Sequence, residues 1–184
     1  MNAAHSEAPV EFQRLSSAAD PESVAGLWKQ LHRHHDAVAP QLGALGAGPS
    51  SLRSAEDGWR IRRAQIVSWL REEGAVLWLA MSQDRVVGCC LGRVQSSPSS
   101  WDWGERVGVI ELLVVEETCR GQGVGAELLH RTRVSLAEYG CRVITVDVID
   151  GNPAESLYRR AGGQPYLRTL ALPALGDEPG LVTE

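Results

Sequence analysis

The chain has 184 residues, 43% of them hydrophobic and 22% charged. That is an ordinary composition for a folded protein, so neither a disordered chain nor a fibrous repeat is expected, and the length suits one domain rather than two. Eighteen basic against twenty-three acidic residues leave a net charge of -5, which opposes approach to a phosphate backbone and argues against a nucleic-acid partner. The four cysteines (Cys89, Cys90, Cys119 and Cys141) show no CxxC spacing. No basic and apolar leader opens the chain, and no apolar run reaches the roughly 18 residues that span a bilayer. Reduced thiols and a cytoplasmic address, with no membrane contact, are the expectation.

In chain order, residues 1–9 are small and polar without periodicity and read as a flexible N-terminus, followed by a first strand at 10–15. Asp20-Pro21 starts a helix: Asp20 accepts bonds from orphan amides, Pro21 suits the first helical position, and Val24, Leu27, Trp28 and Leu31 share a face. Residues 39–54 are rich in Gly, Ser and Pro and predict a mobile connection before a second helix over about 56–72, striped by Trp59, Ile66, Trp69 and Leu70. Gly74 closes that helix. Runs at 75–81 and 86–94, separated by Ser82, Gln83, Asp84 and Arg85, form a hairpin.

A polar loop at 95–106 carries Trp101 and Trp103, and the near-continuous apolar run 107–115 suits a strand covered on both faces. A helix over 124–139 ends at Gly140, and a buried strand follows at 141–148. A short helix runs from Asn152-Pro153 through Tyr158 to Gly162-Gly163, before a last strand near 166–172. The domain is taken as 10–172, with a tail at 173–184. This order predicts one mixed α/β sheet with helices on its faces.

The chemistry concentrates in Arg120, Gly121, Gln122, Gly123, Val124, Gly125 and Ala126, between a buried strand and a helix. Several glycines let successive backbone amides turn toward one anion, and a helix N-terminus adds positive potential, so a pyrophosphate fits there. A nucleoside-triphosphate loop needs Gly-Lys-Ser/Thr, which is missing. Gly121, Gly123 and Ala126 do satisfy the dinucleotide pattern G-x-G-x-x-A, with Asp147 or Asp150 a strand later. That fingerprint places its first glycine directly after the strand, however, whereas residues 116–120 intervene here, and too little chain follows for the further βα units.

An apolar strand, a five-residue spacer, R-x-x-G-x-G and a helix, followed by Asn152, Pro153, Ser156, Tyr158 and Gly162, resemble the GNAT superfamily of acyl-CoA-dependent N-acyltransferases over residues 10–172. The resemblance implies a central, mostly antiparallel sheet of six to seven strands, splayed at the cofactor strand and flanked by about four helices. It also implies acetyl-CoA as co-substrate, with no metal.

Backbone groups of Leu113, Val114 and Val115 would hold pantetheine and the oxyanion. Arg120 and the amides of Gly121, Gln122, Gly123, Val124, Gly125 and Ala126 would take the pyrophosphate, and Asn152 and Ser156 would belong to the second cofactor segment. Tyr158 would protonate the leaving thiolate, and Glu111 would take the amine proton. From the residues alone, Tyr158 also reads as a core aromatic, Glu111 as an exposed strand-end carboxylate and Arg120 as a surface cation. Two positions depart from the family pattern: Glu117 stands where proline is frequent, and Gly163 where an aromatic usually follows the glycine.

On the acceptor side, His32, His35 and Asp36 share a helical face at i, i+3 and i+4, beside His34. The spacing matches no metal-ligand motif, and a solvated helix end or a pocket wall is the favoured reading. With Glu56, Asp57, Trp101 and Trp103 these are substrate-side candidates, and carboxylates beside indoles suit a cationic or amphipathic amine. Cys119 has no His-based activating partner that the sequence can place, so a thiol nucleophile is not expected.

The expected activity is direct acetyl transfer, within a ternary complex, to a primary amine of a small molecule. The alternatives are a protein N-terminus or lysine as acceptor, or a non-catalytic acyl-CoA-binding module. Pairing through a sheet edge is common in the resembled family and leaves a homodimer open.

Overall fold

The computed structural model describes residues 9–15, 20–39, 53–98 and 100–171. The proposed flexible N-terminus up to residue 8, most of the 39–54 connection and the 173–184 tail lie outside them. The strands are β1 (Glu11–Arg14), β2 (Val76–Ser82), β3 (Arg85–Ser96), β4 (Arg106–Val115) and β5 (Ile144–Val146). The helices are α1 (Ala25–Val38), α2 (Ala55–Trp69), α3 (Val124–Glu138) and α4 (Glu155–Arg160). The sheet order is β1-β2-β3-β4-β5, antiparallel throughout except for the parallel β4–β5 pair. This is the expected mixed, mostly antiparallel sheet with four flanking helices. Among the described residues, no helix is long and apolar enough to cross a membrane.

Local chemistry accounts for the element ends. Asp20 accepts from the Glu22 amide at 3.0 Å and so caps a 3-10 turn, Pro21–Val24, that leads into α1. Ser54 caps α2 through the Asp57 amide at 3.1 Å. The β2–β3 hairpin turns on Gln83 and Asp84, whose φ values of 49 and 62 give the left-handed two-residue turn that matches strand twist.

Helices α1 and α2 bury Leu27, Trp28, Trp59 and Ile66 against Leu77, Leu79, Leu91, Leu112 and Val114. On the other face, α3 buries Val124, Leu128, Leu129 and Leu136 against Ala80, Val87, Cys90 and Ile110. Helix α3 sits close because β3 and β4 present glycines to it. A Cβ on Gly92 would lie 2.6 Å from Thr132 Cγ2, and one on Gly108 would lie 2.9 Å from Leu136 Cδ1. Thr132 is fully buried and cannot yield. Gly92→Val should therefore cost about 1–3 kcal/mol by overpacking, read as an earlier urea midpoint; an unmoved midpoint would show that α3 can back away.

Two departures from the sequence expectation matter for the site. First, β4 alternates up to Ile110 and then breaks step, because Gly92 pairs with Ile110 and Leu91 with Leu112, leaving Glu111 as the extra residue of a β-bulge. Ile110 and Leu112, two apart, consequently face opposite sides of the sheet. Second, β5 is three residues long rather than spanning 141–148. It pairs only with Gly108, Val109 and Ile110, and its register with β4 stops where the bulge begins.

The last strand, expected near 166–172, is not formed over 166–171, so the described sheet has five strands rather than six or seven. Tyr166, Leu167 and Leu170 are 45%, 77% and 74% exposed and pair with no strand of the described sheet.

Candidate active site

Beyond the bulge, β4 and the chain leaving β5 line opposite sides of a cleft of about 720 Å³. One side is Ile110, Glu111, Leu112, Leu113, Val114 and Val115; the other is Val146, Asp147, Val148 and Ile149. The start of α3, the α4 segment from Asn152 to Tyr158, and Leu31, His34 and His35 of α1 complete it.

At one end lies the glycine loop. Gly121 and Gly123 adopt φ of 78 and 84, a left-handed geometry that side chains disfavour, and a Cβ on either would meet nothing within 4 Å. These glycines are therefore required by backbone conformation, and the space above them is open. Gly123 is the N-cap of α3 and has no side chain to cap with. The first-turn amides of a helix have no intrahelical partners, so they are left to an outside acceptor. Arg120 Nε donates to the Val115 carbonyl at 3.0 Å, fastening the loop to the end of β4.

Gly121, Gly123, Gly125 and Ala126 line the cleft, as does Arg120. Val124 is buried in the core, 4% exposed, and anchors the helix start. Gln122 extends its amide along the loop to the Thr118 carbonyl at 3.4 Å. Glu117, where the resembled pattern favours proline, opens a 3-10 turn, Glu117–Cys119, as its first-turn carboxylate.

Tyr158 lines the cleft on α4. Burial pushes its phenol above the ordinary range, and the buried Cys90 thiol adds to the shift, so the hydroxyl keeps its proton at any working pH. The helix ends tightly behind it: Gly162, at φ 93, donates to Arg159 O at 3.0 Å, and Gly163 donates to Tyr158 O at 2.9 Å. These two bonds form a Schellman close. A Cβ on Gly163 would stand 2.8 Å from that same carbonyl, which accounts for glycine at the second departing position.

Asn152, 8% exposed, accepts from the Ala154 amide at 3.0 Å through Oδ1 and faces His34 Nε2 at 3.4 Å. Among the described residues its amide nitrogen has no hydrogen-bond partner. Ser156 lines the cleft while its hydroxyl donates to Pro153 O at 2.9 Å.

Glu111 stands at the vertex of the splay. Its Oε1 accepts from Arg93 Nε at 2.6 Å, and both side chains are under 20% exposed. Arg93, unmarked by the sequence reading, also lies 3.8 Å from Glu72 and stacks over Trp69 at 5.0 Å. The one hint available was a cation near the end of an otherwise apolar strand.

The structure separates the acceptor-side candidates. His35 lines the cleft; His32 packs its ring on Trp28 at 5.1 Å, and Asp36 is exposed. Trp101 stacks on Trp103, and Trp103 meets Tyr166 at 4.7 Å. None of His32, Asp36, Trp101 or Trp103 is among the cleft walls. The α1 face turned inward is Leu31, His34 and His35, itself an i, i+3, i+4 stripe, so His34 is the residue the spacing argument passed over. Among the described residues, no group of three or more His, Cys, Asp or Glu side chains is placed to hold a metal.

His35 titrates below its ordinary 6.5, chiefly through burial and then through the charges of His34, His32 and Arg62. The unfolded chain therefore binds this proton first. The contribution to stability is present above pH 6.5 and is lost as the pH falls through the folded value. His35→Gln should accordingly lose less melting temperature than the parent between about pH 8 and about pH 5, and equal losses would assign the acid sensitivity elsewhere.

The chain belongs to the acetyltransferase (GNAT) family, whose profile matches residues 44–163. Mycothiol acetyltransferase of Corynebacterium jeikeium (strain K411) is 27% identical over 157 residues, covering 78% of this chain and 45% of that protein. The chain thus spans about half the length of the curated relative it matches.

The fold recurs in a GCN5-related N-acetyltransferase from Ralstonia eutropha JMP134, with TM-score 0.69, 20% identity, 91% of this chain and 100% of that one. It recurs also in AAC(6')-Iy bound to the bisubstrate analogue CoA-S-monomethyl-acetylneamine, with TM-score 0.63, 16% identity, 91% of this chain and 99% of that one.

Proposed function

We propose that the protein transfers acetyl from acetyl-CoA to a primary amine of a small molecule by direct attack in a ternary complex. One observation carries this reading: a single cleft runs from the glycine loop along Leu113, Val114 and Val115 to Glu111, with Tyr158 in its wall. In this reading the loop amides and the α3 N-terminus take the pyrophosphate. The open edge of β4 beyond the bulge hydrogen-bonds the pantetheine arm, and Asn152 donates its amide to the same arm. Family membership supports CoA use, and so does the CoA analogue held by AAC(6')-Iy, which shares the fold.

The chemistry then follows the atoms. The amine lone pair attacks the thioester carbonyl, forming C–N, and the oxyanion is met by β4 backbone amides. Collapse breaks C–S and leaves the electron pair on sulfur, facing the Tyr158 hydroxyl. The proton lost from nitrogen goes to Glu111, whose Oε2 is the oxygen not taken by Arg93. Cys89 and Cys90 are deeply buried thiols, burial pushing Cys90 up to about 12, and they serve as core rather than as nucleophiles.

The test is release of free CoA from acetyl-CoA in the presence of a panel of amines: amino acids, polyamines, aminoglycosides and short peptides. Turnover with a small amine is the expected result. Turnover restricted to peptides would move the acceptor to a protein terminus or lysine, and no turnover with tight acetyl-CoA binding would make the chain a binding module.

A further inference from the structure

The turn that brings Asn152 to the cleft hangs between two short elements, for the β5 ladder ends at Val146 and α4 begins at Glu155. Its own hydrogen bonds are local. Asn152 N donates to Ile149 O at 3.0 Å, Glu155 N to Asn152 O at 3.1 Å, and Ala154 N to Asn152 Oδ1 at 3.0 Å. Bonds of this kind shape a turn without setting where it lies. Among the described residues, the hydrogen-bonding partner of Asn152 from outside residues 149–155 is His34 of α1, 118 positions earlier, whose Nε2 stands 3.4 Å from Oδ1.

The polarity of that contact follows from its neighbours. Asn152 is only 8% exposed, so a mispaired carboxamide there is costly. The Ala154 amide fixes the oxygen as the atom that faces His34, because the opposite orientation would set two donors together. Facing an oxygen, His34 Nε2 carries the hydrogen and donates; the other tautomer would place lone pair against lone pair. Oδ1 thus has a donor for each of its two lone pairs, and Nδ2 has no partner among the described residues. The helix behind His34 is firm, since Leu27 and Trp28 bury its first turns in the core.

The geometry points to His34 as a positioning residue: through Nε2–H it fixes Asn152 in the cleft wall, with Nδ2 turned to a carbonyl oxygen of the pantetheine arm. The inference rests on the acetyl-transfer reading above and deepens it. Helix α1, whose Leu31 and His35 also line the cleft, would then set cofactor affinity as well as the acceptor wall.

A contact of 3.4 Å is longer than a full-strength N–H···O bond, so the expected effect is modest. His34→Phe should weaken acetyl-CoA binding by about three- to tenfold in a calorimetric titration and leave kcat at saturating acetyl-CoA within about twofold. His34→Gln, whose amide can donate in the same place, should recover part of the affinity. A double-mutant cycle separates positioning from packing: with Asn152→Ala in place, His34→Phe should cost nothing further.

Equal losses from His34→Phe with and without Asn152→Ala would overturn the inference while leaving acetyl transfer in place. A loss confined to kcat, or a glutamine no better than phenylalanine, would do the same. In the parent protein, nitrogen-15 spectra should show a hydrogen on His34 Nε2, and a bare Nε2 would overturn the inference without any variant having to fold. No acetyl-CoA binding by the parent would overturn the acetyl-transfer reading and this inference together.

Discussion

Tyr158→Phe should lower kcat by roughly 10²-fold and leave acetyl-CoA affinity nearly unchanged. The hydroxyl is a poor acid in the equilibrium sense, because burial raises its pKa above the ordinary phenol range, while a free thiol titrates near about 8.5. Full proton transfer to the departing sulfur is therefore uphill. In the proposed reaction the group supplies a donor that stays protonated, stabilising negative charge that exists only as C–S breaks.

An interaction absent in the ground state affects kcat and spares binding. The ring packs against the core on the α3 side of the sheet, so phenylalanine should occupy the same place without the donor. Steady-state kinetics with a saturating acceptor, together with calorimetric acetyl-CoA titration, makes the measurement. Equal losses in affinity and rate would turn Tyr158 into a packing residue.

The second large effect is expected at the glycine loop. Gly123→Trp should abolish measurable acetyl-CoA binding, because the open space above that position would be filled by the indole. Gly123→Ala separates the possible causes. It imposes the left-handed backbone strain, about 1–2 kcal/mol, while its single methyl meets nothing within 4 Å. Alanine should therefore lower the melting temperature yet bind acetyl-CoA nearly as the parent does. If both variants bind normally, the pyrophosphate does not sit there; if both lose binding alike, backbone strain rather than occupancy is the cause.

The loop was legible in the sequence because its requirements are local. Two glycines at positive φ before a helix depend on neighbours in the chain, and so do the Asp20 cap, the Gln83-Asp84 turn and the Gly162-Gly163 stop. Partners set by register were not legible. Arg93 meets Glu111 because β3 and β4 pair with Arg93 opposite Val109, two residues before Glu111, and no periodicity of either strand announces that register or the bulge at Glu111. His34 meets Asn152 across 118 residues because of how α1 crosses the sheet.

The acceptor side misled for a related reason. Glu56 looks like a free carboxylate in a string of letters, but Lys29 answers it once α1 and α2 pack, whereas Asp57 is met within its own helical turn by Ser54 and Arg60, a local pairing that the spacing did offer. Residues 166–171 carry apolar side chains that read as a strand, yet a strand also needs an edge. The described β5 is only three residues long, and its register with β4 stops at the bulge.

The most direct measurement is a crystal structure of the protein with coenzyme A. The account predicts both phosphates of the pyrophosphate against the amides of residues 121–126, the pantetheine arm along Leu113, Val114 and Val115, and the sulfur within hydrogen-bond reach of the Tyr158 hydroxyl. Coenzyme A bound with its pyrophosphate away from that loop, or with its thiol remote from Tyr158, would contradict it.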